Sequence, residues 1–488
     1  MDHHNEAVAV IAANVRQFYD RQEAFRIYHG STNSTRKSSF QRDRMIDTSD
    51  LSRVLKVDTK TRTALVEPNV PMDRLVEATI EHGLVPPVVM EFPGITVGGG
   101  FAGTSGESSS FKHGFFDRIV NWTEMVLANG DIVTASDTEK SDLFNGAAGS
   151  FGTFGITTLL ELQLIEAKKY VELTYYPVTS VSEAIQKIED ATEDLSNDYL
   201  DGILFALDRG VIMTGRLTDV LQDGVRAQRF SRAQDPWFYL HAKRILSNST
   251  ASTTEAIPLV DYLFRYDRGA FWTGAYAFKY FMAPFNRLTR WALDRFMHTR
   301  VMYHALHESG HSKQYIIQDL ALPYSTAQRF LQYLDEAFGL YPLWLCPLRQ
   351  SHQVSLHPHT SPAMGEDATT RKMLLNVGVW GPGPSAHDEF VDANRKLEHK
   401  VRELSGMKWL YAHAYYTEEE FWDIYDRKWY DALRAKYDAT SLPTVYDKVK
   451  VDVGAEKRAV SGSWGIWLLS GLWGVLQAAV GGDYLLAK

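Results

Sequence analysis

Three loops rich in Gly, Ser and Thr lie within the first third of this 488-residue chain. They are HGSTNSTR at 29–36, PGITVGGGFAGTSGESSS at 93–110 and GAAGSFGTFGITT at 146–158. Such loops expose consecutive backbone N–H groups and hydroxyls, and Gly lets the chain approach a ligand closely. One such loop alone is typical of an ordinary turn. Three of them, separated by segments with strand character, favour a single large anionic ligand that carries a ring system.

The charge and cysteine content exclude several other functions. The chain has 51 Lys+Arg against 60 Asp+Glu, a net charge of -9, and no long basic stripe, which argues against a nucleic-acid partner. The only cysteine is Cys346, so neither a disulfide framework nor a Cys-based zinc site is expected. We expect no bound metal.

The length and the hydrophobic pattern predict an α+β chain of two domains. Residues 24–165 alternate between short β-branched runs and helical segments, and KYVELTYYPV with VSEAIQKIEDATEDL opens a second unit. Later strands are predicted at LDGILFALD, GVIMTGRL, GLYPLWLCPL, KMLLNVGVW and KWLYAHAYY, with an irregular helical region between Asp235 and Leu320. We place the first domain at 1–167, the second at 168–450 and an apolar tail at 451–488.

The tail carries a charge-free stretch from Ala459 to Gly482, which follows Lys457 and Arg458. It is long enough to span a bilayer, which takes ~20 residues. It could also lie in the membrane interface or dock on the protein itself. We expect contact with a membrane surface. The N-terminus has no pattern of a secretory signal, so we expect the chain to start in the cytosol.

Two short motifs suggest other chemistries. GGGFAG at 98–103 has the letters of a dinucleotide fingerprint, but that motif should follow a buried strand and open a helix. HESGH at 307–311 has the letters of a zinc-hydrolase helix, but Gly310 disfavours the helix and no convincing third ligand follows. The surrounding sequence therefore supports neither a dinucleotide-binding fingerprint nor a zinc-hydrolase helix.

The order of the motifs resembles a known family. HGSTNSTR, VEPNV, PGITVGGGFAGTSGESSSFKHGFFDRIV, MVLANGDIV and SDLFNGAAGSFGTFGITT together resemble the FAD-binding domain of the vanillyl-alcohol-oxidase-type (PCMH) flavoproteins, most closely that of the delta-24 sterol reductases of the DIMINUTO/seladin type. LIEAKKYVELTYYPV, DPWFYLHA, IIQDLALP, YPLWLCPL, EEEFWDIYD and VYDKV are similar to later segments of the same family. The resemblance covers about residues 24–450.

The resemblance implies a PCMH-type FAD-binding domain of two α/β subdomains, followed by an α+β cap domain that holds the substrate. It places FAD contacts at Ser31, Thr32, Asn33, Ser34, Thr96, Val97, Gly98, Gly99, Gly103, Thr104, Ser105, Ser108, Gly152, Thr153, Gly155 and Ile156. Ser31 follows Gly30 where relatives often carry a flavin-linked histidine, and no loop carries Cys. We therefore expect non-covalent FAD, with His29 and His113 as the remaining attachment points.

The family's reaction is NADPH-linked reduction of a side-chain alkene in a sterol or another isoprenoid lipid. An isolated alkene has no carbonyl to polarise, so an acid must stand beside it in a dry pocket. Tyr411, His413 and Asp319 are the candidate donors; Tyr411 and His413 alternate in a predicted strand, and Asp319 lies among Ile and Leu. Relatives read much like YADCY where this chain has YAHAY, which leaves the choice of donor open.

We expect a protein at the endoplasmic reticulum membrane. Lys457 and Arg458 before the tail predict that the catalytic domains face the cytosol. Two alternatives stay open at this point. One is an FAD-dependent alcohol oxidase or dehydrogenase, and the other is a non-catalytic protein that binds flavin or lipid. The sequence does not indicate the oligomeric state.

Overall fold

The computed structural model describes residues 1–29, 43–221, 227–248, 250–309, 314–350, 356–357 and 373–461. Of residues 306–309 and 458–461 it describes only the helical backbone. The predicted loop residues Ser31, Thr32, Asn33 and Ser34, the HESGH motif beyond Ser309 and most of the predicted tail lie outside this part of the chain.

The N-terminal region is a mixed α/β unit around a five-stranded antiparallel sheet. Its strands are β1 (Arg26–Tyr28), β2 (Met45–Asp47), β3 (Val54–Asp58), β4 (Thr63–Val66), β5 (Leu84–Val85), β6 (Val120–Leu127), β7 (Ile132–Ser136), β8 (Gly155–Gln163) and β9 (Ile165–Glu166). Its helices are α1 (Asp2–Asp20), α2 (Met72–Ile80), α3 (Val97–Gly103), α4 (Ser110–His113) and α5 (Ser141–Ala147). The sheet has the order β3-β4-β8-β6-β7, β1 pairs in parallel with β2, and β5 pairs with β9.

The second region contains an eight-stranded antiparallel sheet in the order β13-β10-β12-β11-β15-β16-β14-β17. Its strands are β10 (Tyr170–Val178), β11 (Tyr199–Ala206), β12 (Arg209–Thr218), β13 (Thr253–Pro258), β14 (Tyr315–Pro323), β15 (Leu343–Leu348), β16 (Leu374–Pro382) and β17 (Met407–Lys408). Its helices are α6 (Val181–Glu193), α7 (Phe238–Asn248), α8 (Leu259–Leu263), α9 (Thr273–Tyr280), α10 (Arg287–Ala292), α11 (Thr299–Ser309), α12 (Tyr324–Ala337) and α13 (His387–Glu403).

The two faces of this large sheet have different surroundings. Helices α6, α12 and α13 cover one face, and their apolar side chains form one core with strand residues such as Ile316 and Leu320. Because side chains alternate along a strand, Ile317 and Asp319 of β14 point to the opposite face. That face lies toward the N-terminal region, and the space between them is the main cavity.

The mixed α/β fold is confirmed, and two local predictions are wrong. Residues 253–258 form strand β13 and residues 315–320 belong to strand β14, although both segments fall in the region predicted to be helical. The predicted strand KWLYAHAYY reduces to β17, because the buried Lys408 ammonium donates to the His413 carbonyl at 2.5 Å and curls the following residues into an irregular loop.

The C-terminal helices α14 (Glu418–Ile424), α15 (Arg427–Lys436) and α16 (Val445–Val449) return the chain to the N-terminal region. In α15, the Tyr430 hydroxyl donates to Thr153 Oγ1 at 2.8 Å. The last described helix is α17 (Val453–Ser461). Among the described residues, no helix has the length and apolar character needed to cross a membrane. The domain limits at 167 and 450 and the two-subdomain arrangement stay predictions.

Candidate active site

A cavity of about 1220 Å³ separates the Gly-rich loops from the large sheet. Pockets for a single small ligand measure about 300–1,000 Å³, so this volume suits a large cofactor together with a substrate. Seven of the predicted cofactor residues line it, namely Thr96, Gly98, Gly99, Gly103, Ser105, Gly152 and Ile156. From the second region it is lined mainly by aromatic and apolar side chains, including Phe271, Tyr280, Tyr303, Ile317, Trp344, Trp380 and Trp409.

The second Gly-rich loop continues into helix α3, and its glycines leave the backbone uncovered at the cavity. Thr96 caps α3 by accepting a hydrogen bond from the Gly99 N–H at 3.2 Å. A Cβ at Gly98 would lie 2.7 Å from Pro68 Cβ, so only Gly fits there. A Cβ at Gly99 would meet only Thr96 Oγ1, at 3.1 Å. This loop therefore exposes bare backbone to the cavity, which a bulky anionic group needs for close approach. Among the described residues, no strand leads directly into α3. The loop therefore lacks the preceding strand that a dinucleotide fingerprint requires.

The third loop meets the cavity at Gly152. This residue has a φ of +70°, and a Cβ there would lie 2.6 Å from Ile27 Cδ1. Glycine is therefore required both by the backbone conformation and by the close approach of β1.

Five predicted cofactor residues do not line the cavity. Val97, Thr104, Ser108, Thr153 and Gly155 are buried in the protein instead. The Thr104 carbonyl accepts a hydrogen bond from the Trp409 indole at 3.0 Å, and the Ser108 hydroxyl donates to Glu107 Oε2 at 2.7 Å. These residues support the loops that face the cavity.

The sequence analysis missed a basic group near the Gly-rich loops, Lys448, and named His29 only as a possible attachment point for FAD. Lys448 of α16 lines the cavity and donates to the Phe151 carbonyl at 2.5 Å. His29 lines it as well, and its buried Nδ1 has no hydrogen-bond partner among the described residues. Burial and the nearby Lys448 charge lower the pKa of His29. A buried polar atom without a partner and a cation beside a Gly loop fit a phosphate-bearing cofactor such as FAD. Lys448 belongs to the segment VYDKV. It is so far from the Gly-rich loops in sequence that no local pattern indicates that it lies near them.

Two of the three predicted proton donors meet on the cavity wall. The Tyr411 hydroxyl donates to Asp319 Oδ2 at 2.6 Å, and the Asn376 amide donates to Asp319 Oδ1 at 2.9 Å. The Trp380 side chain also hydrogen bonds to the Tyr411 phenol. All four side chains line the cavity. They come from β14, β16 and the loop after β17, so the sheet holds them in one place.

Burial controls the protonation of this pair. It raises the pKa of Asp319 to about 6, although the hydrogen bonds from Asn376 and Tyr411 act in the opposite direction. It also raises the pKa of Tyr411 well above its usual value, and the Asp319 charge adds to that shift. Near neutral pH the pair therefore holds at least the phenolic proton, and in mild acid it holds a second one on the carboxyl.

His413 does not line the cavity. Its carbonyl accepts hydrogen bonds from Lys408 and Gln318, and its ring lies 6.2 Å from that of Tyr415. Tyr415 belongs to the core on the helix-covered face of the sheet. The expected alternation of Tyr411, His413 and Tyr415 on one side is absent, because these residues lie in a loop and not in a strand.

A further carboxyl, missed in the sequence analysis, reaches the cavity at Glu91. The side chain is buried, and its Oε1 has no hydrogen-bond partner among the described residues. Burial and the neighbouring Glu107 raise the pKa of Glu91 well above its usual range, which favours the neutral carboxyl. A carboxyl in the apolar run VVMEFPG is the signal that could have identified it.

The Gly loops, the unpartnered His29 nitrogen and the acid-lined cavity define a flavin-binding enzyme, and comparison with known proteins agrees. The profile of the FAD binding domain family matches residues 6–136. Human Delta(24)-sterol reductase is 32% identical over 404 residues, which cover 82% of this chain and 76% of the human protein. The Delta(24)-sterol reductase of Pisum sativum is 29% identical over 450 residues, with coverage of 85% and 77%. Cytokinin dehydrogenase 9 of Oryza sativa subsp. japonica is 28% identical over 184 residues, 37% of this chain and 35% of that protein.

The chain belongs to the Delta(24)-sterol reductase family. It is an FAD-dependent oxidoreductase, as the sequence analysis predicted. The individual contacts to the cofactor and the choice of proton donor stay predictions.

Proposed function

We propose that this protein reduces the side-chain double bond of a Δ24 sterol or a closely related isoprenoid lipid, with NADPH as the electron donor. The observation that carries the proposal is the Asp319–Tyr411 pair, which stands on an aromatic cavity wall opposite the FAD-binding loops. An isolated alkene is reduced by a hydride on one carbon and a proton on the other. The chain therefore needs a hydride-carrying cofactor on one side of the cavity and an acid on the other.

The loops at Thr96–Ser105 and at Gly152 would hold FAD, with Lys448 and His29 beside them. When bound, FAD supplies the centre that accepts hydride from NADPH and passes it to the alkene. The protein's own part is to exclude water, orient the lipid and supply the proton. The aromatic side chains Trp344, Trp380 and Trp409 suit the first two tasks.

The Asp319–Tyr411 pair would supply the proton. While Asp319 is ionised, the phenolic proton of Tyr411 is engaged with the carboxylate. Protonation of Asp319 frees that proton to turn toward the substrate carbon, and Asn376 keeps the carboxyl in place. Because the alkene has no polarised oxygen, the reaction depends on an acid held ready in a dry site. Glu91 is a further carboxyl with a raised pKa that borders the cavity.

The proposal includes a location at the endoplasmic reticulum membrane, with the catalytic regions in the cytosol. It rests on the lipophilic substrate and on the charge-free sequence from Ala459 to Gly482 behind Lys457 and Arg458. Membranes are where such a substrate is found, and NADPH is available on the cytosolic side.

Anaerobic mixing with NADPH and then with substrate tests the function. The flavin absorbance should bleach rapidly with NADPH and return on addition of a Δ24 sterol, with a product heavier by two hydrogen atoms. Slow bleaching by NADPH, bleaching by an alcohol and fast return in air would instead identify an oxidase or dehydrogenase. A flavin that responds to neither donor would identify a binding protein without catalysis.

A further inference from the structure

An exposed apolar surface lies in the connection between α9 and α11. It consists of Met282, Phe285, Leu288 and Trp291, whose side chains are 77%, 38%, 69% and 55% exposed. We call these four residues the apolar ridge. They are four of the eleven large apolar residues that are exposed among the described residues, and they fall within ten positions of sequence. A concentration of this kind marks an interaction surface, whereas the other exposed large apolar residues in the described part of the chain stand singly.

The charges next to the apolar ridge in sequence are positive up to Leu293, and Asp294 beyond it is paired with Arg268. From Gly269 to Leu293 the sequence contains Lys279, Arg287 and Arg290 and no acidic residue. Lys279 and Arg287 are exposed, and the Arg290 guanidinium lies 4.9 Å from the centre of the Phe285 ring. Apolar side chains flanked by cations fit the surface of a bilayer that contains anionic phospholipid, where the cations meet headgroups and the apolar groups enter the acyl boundary.

The apolar ridge is an ordered feature of the fold. Asn286 and Thr289 form a capping box at the start of α10, with the Asn286 side chain accepting from the Leu288 and Thr289 N–H groups at 2.9 and 3.1 Å. The Phe285 ring packs 5.5 Å from Trp237 and 5.2 Å from Phe278. Leu288 and Trp291 are three residues apart on α10 and so lie on the same side of it. The helix thus holds these groups outward.

Both ends of this connection line the cavity. Tyr280 and Phe281 precede the apolar ridge and border the cavity, as do Phe296 and Met297 after it. A lipid that leaves a bilayer at the ridge therefore meets apolar cavity wall on both sides of the connection. The apolar residues thus continue from the ridge to the cavity wall. This favours a membrane as the partner, since a lipophilic substrate would otherwise have to cross water.

We propose that the apolar ridge, with Lys279, Arg287 and Arg290, docks on an anionic phospholipid bilayer and opens the cavity toward it, so that substrate passes directly from membrane to site. The docking is a property of the second region and does not depend on the C-terminal tail. The transfer of substrate rests on the proposed function, whereas the docking can be tested without it.

A probe on the apolar ridge tests the docking in the full-length holoprotein. Cys346 is fully buried, so a polarity-sensitive thiol dye can be directed to Leu288→Cys. Addition of phosphatidylcholine–phosphatidylserine vesicles should shift the dye emission to the blue, and pure phosphatidylcholine vesicles should shift it much less. The matched control is Leu195→Cys, which is 80% exposed and does not border the cavity. Its emission should not change.

Two results would overturn the docking. One is an unchanged emission at position 288 while the protein cosediments with the vesicles, because the tail alone would then carry the membrane contact. The other is an emission that is already blue without vesicles, because the ridge would then be covered by the chain's own tail or by a second copy.

Charge introduced into the apolar ridge tests the transfer of substrate. Met282→Glu/Leu288→Glu should lower kcat/KM for vesicle-embedded sterol about tenfold or more and leave turnover of detergent-dispersed sterol unchanged. Leu195→Glu/Val220→Glu, with closely matched exposure of 80% and 71%, should change neither. Equal losses in vesicles and in detergent would overturn the transfer. If the wild-type protein turns over no sterol in either form, the proposed function fails, and the dye measurement still decides the docking.

Discussion

The Tyr411 hydroxyl donates a 2.6 Å hydrogen bond to the Asp319 carboxylate, and both side chains line the cavity opposite the Gly-rich loops. The two residues are 92 positions apart, and the backbone ties them together as well, since the Trp409 N–H donates to the Asp319 carbonyl at 3.1 Å. The carboxyl and the phenol are thus positioned as one unit.

Removal of the proton donor should slow reoxidation of the flavin by sterol. Tyr411→Phe and Asp319→Asn should each lower the single-turnover rate by about 10²–10⁴-fold and leave reduction by NADPH intact, since general acid catalysis contributes about that factor. His413→Gln is the control and should react like the wild type, because its ring lies away from the cavity. If Glu91→Gln slows reoxidation, and Tyr411→Phe and Asp319→Asn both react at the wild-type rate, the donor is Glu91.

The rate of reoxidation should fall as the pH rises through about 6, the pKa to which burial raises Asp319. The acid form of the pair is the one that releases a proton to substrate, and Asp319→Asn should lack this pH dependence. A wild-type rate that rises across the same range would contradict the assignment of the pair as an acid.

The raised pKa of Asp319 should also make the free energy of unfolding decrease as the pH rises. The native state holds the Asp319 proton up to pH 6, whereas an unfolded Asp loses it near pH 4. The contribution of Asp319 to the free energy of unfolding should therefore fall by up to about 3 kcal/mol between pH 4 and 6 and stay low above that. Urea denaturation of the wild type and of Asp319→Asn should differ by this pH-dependent component.

Charge in the second Gly-rich loop should abolish cofactor binding. Gly99→Asp places a carboxylate on the open backbone where we expect the FAD phosphates, so the purified variant should be colourless. Gly99→Ala is the matched control, since its Cβ meets only the Thr96 hydroxyl at 3.1 Å. It should keep FAD that acid or heat releases. A yellow Gly99→Asp protein would remove this loop from the cofactor site.

The buried pair Lys408–Glu398 should support the loop that carries Tyr411. The Nζ–Oε1 distance is 2.7 Å, and both side chains are 1% exposed. Lys408→Met leaves the buried Glu398 carboxyl without its cation and should cost about 3–5 kcal/mol in urea denaturation. Lys408→Met/Glu398→Gln removes the unpaired charge and keeps an acceptor for the Tyr415 N–H, so it should recover much of that loss. A double variant as unstable as the single one would show that the charge is not the cause.

Truncation after Arg458 tests the predicted tail. The shortened protein should keep its FAD, leave the membrane fraction at least in part, and lose more turnover with membrane-embedded sterol than with detergent-dispersed sterol. Loss of the flavin on truncation would place the tail in the folded body of the protein.

The amino-acid pattern was enough to predict the class of fold and the Gly-rich loops that line the cavity. Gly98 and Gly152 can be recognised from sequence because they lie in Gly-rich loops, although the residues that leave no room for a Cβ there, Pro68 and Ile27, are distant in the chain. Most of the short strands are visible in their β-branched runs. The first part of the strand at 315–323 was not recognised, because the sequence on both sides has helical periodicity. Its pairing partner β16 is also distant in sequence. The strand predicted at 408–416 was lost because a tertiary contact, from Lys408 to the His413 carbonyl, bends it.

Only the tertiary structure decided which side chains meet at the site. Asp319 reaches Tyr411 because β14 and β17 are neighbours in the sheet, and Lys448 reaches the cofactor loops because α14 to α16 return to the N-terminal region. The pKa of Glu91 is raised because distant elements bury it beside Glu107. Local sequence specifies backbone geometry through short-range sterics, whereas contacts, burial and pKa depend on long-range packing that no local pattern records.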